Sequence, residues 1–146
     1  VAVRQSTAQP VPIWLSEGFA DYLAYLDAGV SPQVAAGDLL ALVRRGEGPK
    51  KLPGEADFDP TKTAIAPAYS GAWLACLSIA ESEGQAGLVA LYRRAAGGPG
   101  QDVRTTPAQA LEAAFRAELG TGVAAFTRRW RGYLRDLAAG RTTDGG

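Results

Sequence analysis

The sequence has no histidine and no methionine, and its only cysteine is Cys76. Without histidine, no Ser-His-Asp or Cys-His nucleophile can be assembled from these 146 residues alone. No zinc site with imidazole ligands can be assembled either. A single thiol excludes an intrachain disulfide, and within "GAWLACLSIA" it reads as a small buried residue. An excess of charge is missing too. Fifteen basic and fifteen acidic residues give a formal net charge of zero, so the footprint of a nucleic-acid binder is absent. Arg44, Arg45, Arg93, Arg94, Arg128, Arg129 and Arg131 fall near helix ends or on polar faces, where solvation accounts for them. Long apolar runs are lacking as well. The stretch from Ala64 to Ala80 contains Pro67, Tyr69 and Ser70 and is short for a bilayer, so no membrane span is expected. No signal-peptide pattern is seen. Val1 stands where a start methionine would, which suggests a piece cut from a longer protein, and no compartment is assigned.

What is present is the profile of a globular chain, 47% hydrophobic and 21% charged, long enough for one domain over residues 1–146 with a real core. The patterning is helical nearly throughout, and the expected fold is an all-α compact bundle of about six helices without strands. A first helix should run from near Leu15 to before Gly29. Ser31 and Pro32 then supply a cap and a first-turn proline for a second helix through "QVAAGDLLALVRR" to Gly46. Residues 46–67, with four prolines, form a long loop of the kind that often carries function. A third helix is expected from about Ala68 to Glu83, ended by Gly84, and a fourth in "QAGLVALYRRAAG". "GGPGQDVR" reads as a turn. Thr106, Pro107 and Gln109 open a fifth helix with a capping box, and Gly120 closes it. The last helix carries Val123, Phe126, Trp130, Tyr133 or Leu134, and Leu137 on one stripe. Residues 141–146 read as a frayed tail.

One segment, "VPIWLSEGFADYLAYLDAG", places two carboxylates in a stretch otherwise suited to burial. At about 100° per residue, Leu15, Phe19, Tyr22, Leu23 and Leu26 gather on one face as a core stripe. Glu17 and Asp21 lie on another face with Ala20, Ala24 and Ala28, small residues that another backbone could approach. A half-buried carboxylate there needs a cation, a metal or hydrogen bonds. The plain alternative is a first-turn glutamate favoured by the helix dipole beside an exposed aspartate. Like charges four residues apart weaken an isolated helix slightly.

The run "PIWLSEGFADYLAY" resembles the third-ligand helix of gluzincin-type zinc metallopeptidases, including the smaller peptidase-MA-like domains. Those families carry an HExxH helix and, downstream, a "WLxEGxAxY" segment whose Glu is the third zinc ligand. Trp14, Leu15, Glu17, Gly18, Phe19, Ala20 and Tyr22 carry the match. The resemblance implies that Glu17 binds Zn²⁺ and that Asp21 hydrogen-bonds a zinc-ligating histidine, fixing its ring. It continues in "PAYSGAWLACLSIAESEG", where Tyr69 matches a tyrosine that donates to the oxyanion of the tetrahedral intermediate. An aromatic at a helix start is the structural alternative for Tyr69. The ending "ALEAAFRAELGTGVAAFTRRWRGYL" is similar to the family's closing helix pair, where Trp130 and Tyr133 read as core packing.

The resemblance implies the helical C-terminal half of a zincin-like domain. HExxH is missing, and an HExxH ending just before Val1 would restore a plausible spacing to Glu17. The expected function is metal-assisted peptide hydrolysis on a peptide or protein substrate, with the 46–67 loop bordering the cleft and this segment inactive by itself. The rival expectations are a non-enzymatic helical module that binds a protein or peptide, and a pseudo-peptidase that keeps the groove without the metal.

Overall fold

Proline and glycine set most of the boundaries. The computed structural model describes residues 11–62, 65–96 and 105–140. Among these are six α-helices and no strand: α1 Ile13–Tyr25, α2 Pro32–Ala35, α3 Gly37–Arg44, α4 Ile65–Ala95, α5 Pro107–Leu119 and α6 Val123–Ala138. Residues 1–10, the expected turn at 97–104 and the expected frayed tail at 141–146 lie outside the described residues.

Ser31 caps α2, its hydroxyl accepting from the Val34 N–H, with Pro32 in the first turn. The single helix expected to follow is broken. Ala36 leaves helical geometry at φ −105°, ψ 26°, and α3 restarts at Gly37. Glycine is a poor helix former. Asp38 also offers a competing bond, accepting from the Leu39 N–H at 2.7 Å and from the Ser70 hydroxyl at 2.9 Å.

The loop after α3 contains a 3₁₀ turn, Glu55–Phe58, whose Asp57 carboxylate accepts from the Gly54 N–H. α4 begins at Ile65, three residues before the expected start. Pro67 is its third residue, where the missing N–H has no helical acceptor to lose. The expected break at Gly84 is present: φ 80°, ψ 164° divides α4 into two helical pieces across a kink. Only glycine takes that conformation readily. Thr106 and Gln109 form the expected capping box, Pro107 opens α5, and Gly120 ends it.

α4 is the axis of the bundle, and α1, α3, α5 and α6 all pack against it. Its Leu74, Ile79, Leu88 and Leu91 are fully buried with Leu15, Leu39, Leu40, Phe115, Phe126 and Trp130. Trp14 of α1 meets the rings of Phe115 and Phe126 at 6.2 and 6.3 Å between centroids, tying the two ends of the sequence together. Trp130 Nε1 donates to the Gly71 carbonyl at 3.2 Å. The last-helix stripe is as expected, with Phe126, Trp130, Tyr133, Leu134 and Leu137 buried and Val123 packed at its edge.

The stripe expected on α1 needs correction. Trp14, Leu15, Ser16, Gly18 and Tyr22 are buried, whereas Leu23 and Leu26 are 44% and 45% exposed. The buried face is turned roughly 60° toward the acidic side, at about 100° per residue. Gly18 explains the turn. A Cβ there would collide with the Ala72 carbonyl and come within 2.9 Å of Cys76 Sγ, so α1 and α4 cross in backbone contact at a residue that hydrophobic periodicity ignores. Among the described residues, no helix is long and apolar enough to cross a membrane.

Candidate functional site

The rotation of α1 moves its acidic flank to the edge of the crossing with α4. Glu17 and Asp21 are both half-buried there. α1 starts at Ile13, so Glu17 is the fifth helical residue and no acidic residue occupies the first turn. The helix-dipole explanation of Glu17 therefore loses its basis, since that effect fades within the first turn.

Tyr69 stands on the opening turns of α4, half-buried, with Phe58 of the 3₁₀ turn edge-on to its ring at 5.0 Å and 90°. The long loop thus reaches the site through Phe58. Burial raises the Tyr69 phenol above its ordinary value, and the Glu17 and Asp21 carboxylates raise it further. Asp21 is likewise raised, first by burial and then by the charge of Glu17. The structure therefore brings Glu17, Asp21 and Tyr69 within electrostatic reach of one another. No described cation forms an ion pair with either carboxylate.

Cys76 lies behind this site. It is fully buried, its Sγ 3.9 Å from the Leu15 carbonyl oxygen. Burial, and then the charge of Asp21, push its thiol far up, so it is held as an unreactive S–H. The small buried residue expected from the sequence is what the structure contains.

Hydrophobic periodicity passes over two residues of the site region. Gly18 sets the helix crossing. Ser16 is completely buried, its hydroxyl donating to the Ile13 carbonyl at 3.2 Å, which lets a polar residue sit against the core without an orphaned group. The spacing Ser16-Glu17-Gly18 is the available signal: a polar residue and a glycine flanking a carboxylate inside an apolar helix.

Chemically, the site offers one or two carboxylate oxygens for a cation and one phenolic donor beside them. Among the described residues, no group of three His, Cys, Asp or Glu side chains could hold a metal ion. Glu17 can contribute one ligand, and a closed coordination sphere requires others. Set against known proteins, the chain matches no family model, no curated protein and no solved structure.

Proposed function

We propose that the chain is the helical part of a zinc-dependent metallopeptidase that hydrolyses peptide bonds, with Glu17 as the third zinc ligand. The observation that carries this proposal is a pair of half-buried carboxylates with no described cation partner, set beside a phenol at a tight helix crossing. Such a pair is costly unless a positive charge joins it. When bound, zinc would polarise the scissile carbonyl and lower the pKa of a coordinated water.

The chain's own residues then have separate tasks. Glu17 supplies an anionic oxygen ligand. Asp21, one turn later, accepts from the imidazole N–H of a ligating histidine and fixes that ring. Tyr69 keeps its proton at neutral pH and donates it in a hydrogen bond to the developing oxyanion. The Phe58 ring holds the phenol's orientation. Two histidines and the general-base glutamate of an HExxH helix would come from polypeptide beyond these 146 residues. The segment by itself is therefore expected to be inactive.

The test is a longer protein that includes the upstream coding sequence, assayed for bound zinc and for peptide hydrolysis. HExxH upstream, zinc in the purified protein and loss of that zinc in Glu17→Gln are the expected results. Undiminished zinc in Glu17→Gln would overturn the assignment. Tyr69→Phe should keep zinc and lose kcat, by about 10²–10³-fold if it is an oxyanion donor.

A second proposal, a helical module that binds a protein or peptide without catalysis, is favoured by one observation. Leu23, Tyr25, Leu26, Val30 and Val34 are exposed, and Tyr25, Leu26 and Val30 line a groove of about 240 Å³ with Trp73 and Leu77. An upstream sequence without HExxH would select this proposal or the pseudo-peptidase.

A further inference from the structure

A second hollow, of about 370 Å³, opens on a different side of α4. Pro67, Ala68 and Gly71 line it. At about 100° per residue, Pro67 and Gly71 lie roughly 100–160° round the helix from Tyr69 and Ala72, with Ala68 between the two faces. Glu17, Asp21 and Tyr69 do not line it, so the hollow is distinct from the acidic pair although the same loop borders both. Its volume falls at the lower end for small-ligand pockets, roughly 300–1,000 Å³.

The interior is apolar, formed by Leu39 and Leu42 of α3, Pro49 and Pro53 of the loop, and Pro67 and Ala68 of α4. Prolines have a fixed φ, and the Trp130 bond to the Gly71 carbonyl braces the floor from behind. The walls are therefore stiff before any ligand arrives, which lowers the entropic cost of binding.

The mouth is cationic. Lys50 and Lys51 stand at its edge. A smaller hollow of about 140 Å³ adjoins at Pro49 and Lys50, walled by Arg131 and Arg135. None of these four cations forms an ion pair with a described residue. Two acids stand at the same mouth and offset part of this charge. Glu47 faces Arg45 at 3.4 Å, and Asp57 accepts from the Gly54 N–H at 2.8 Å. An apolar interior under a rim whose four cations outnumber its two acids matches one ligand chemistry, an apolar chain that ends in an anion.

The geometry points to a binding site for a small amphipathic carboxylate, its chain between α3 and the start of α4 and its head at the Lys50, Lys51, Arg131 and Arg135 rim. The concave shape and small volume favour a free molecule over a membrane surface.

The test is calorimetric titration of the full chain with sodium octanoate, 1-octanol and octylammonium, paired with NMR shift mapping. Octanoate should bind saturably and shift Leu39, Leu42 and Ala68. Octanol and octylammonium should bind about tenfold more weakly or worse, the scale of a lost charge-assisted contact. Lys50→Glu/Lys51→Glu should weaken octanoate by about tenfold while leaving the circular dichroism spectrum unchanged, because both lysines are exposed. Arg131→Glu provides a second, independent weakening. Absence of saturable octanoate binding would overturn the site, as would equal binding of octanol. Shifts confined to the Glu17 and Tyr69 region, or binding only to phosphatidylglycerol vesicles, would overturn it as well.

Discussion

Single residues decide the chemistry of the α1–α4 crossing. Asp21 carries a clear pH signature. Its folded-state pKa is raised, by burial first and by Glu17 second. The folded protein therefore prefers the protonated form. That stability is fully present below the unfolded carboxylate value of 3.8 and is lost as pH rises through the folded value. Asp21→Asn should be more stable than wild type at neutral pH, by roughly 0.2–0.5 kcal/mol for the like-charge repulsion it removes. The advantage should vanish in acid, and urea denaturation at several pH values measures it. A variant equally stable at both ends of that range would show that the two carboxylates do not interact. Gly18→Ala tests the crossing itself. The added methyl meets the Ala72 carbonyl rather than a yielding side chain, so a loss of roughly 1–3 kcal/mol is expected in thermal or denaturant unfolding.

At the scale of elements, punctuation was legible and packing was only partly so. Ser31-Pro32, Gly84, Thr106-Pro107-Gln109 and Gly120 each act as the sequence suggests, because caps and breaks are local chemistry. The interruption at Ala36 was not legible, since the Asp38 carboxylate that takes the Leu39 N–H is held by Ser70, thirty-two positions away. The acidic pair was visible as a pattern, but its half-buried state depends on where α4 crosses, which no periodicity encodes. The start of α6 was hidden too. Gly122 offers no side-chain cap, and the Val123 N–H instead donates to the Glu112 carboxylate of α5 at 3.1 Å. A carboxylate at a helix N-terminus is stabilising. Glu112→Ala should therefore cost about 1 kcal/mol, read by equilibrium unfolding, although Glu112 lies on a different helix from the one it caps. A neutral result would mean that water replaces it.

For the molecule as a whole, the distribution of apolar surface is uneven. Most large apolar side chains enter one core around α4, yet Leu23, Leu26, Val30 and Val34 are left exposed, with Val34 78% exposed and Leu26 and Val30 lining one groove. Ala24 and Ala28, expected beside the carboxylates, are also exposed. Exposed large apolar side chains favour association. The chain should self-associate as concentration rises, in sedimentation or light scattering. Leu23→Lys/Leu26→Lys should shift it toward monomer without lowering its melting temperature, since neither side chain is in the core. A wild-type chain that stays monomeric at high concentration would count against this.

Cys76 turns the helix crossing into a gate with a built-in clock. Its sulfur is sealed between α1 and α4 and held protonated. The thiolate is the form that attacks the carbon of iodoacetamide and expels iodide, so the protein is marked only during moments when α1 lifts away. At a fixed reagent concentration the marking rate then tracks the population of that open state. It should quicken in Gly18→Ala and stay unchanged in Lys50→Glu, reporting on one seam of the bundle while the remainder stays folded.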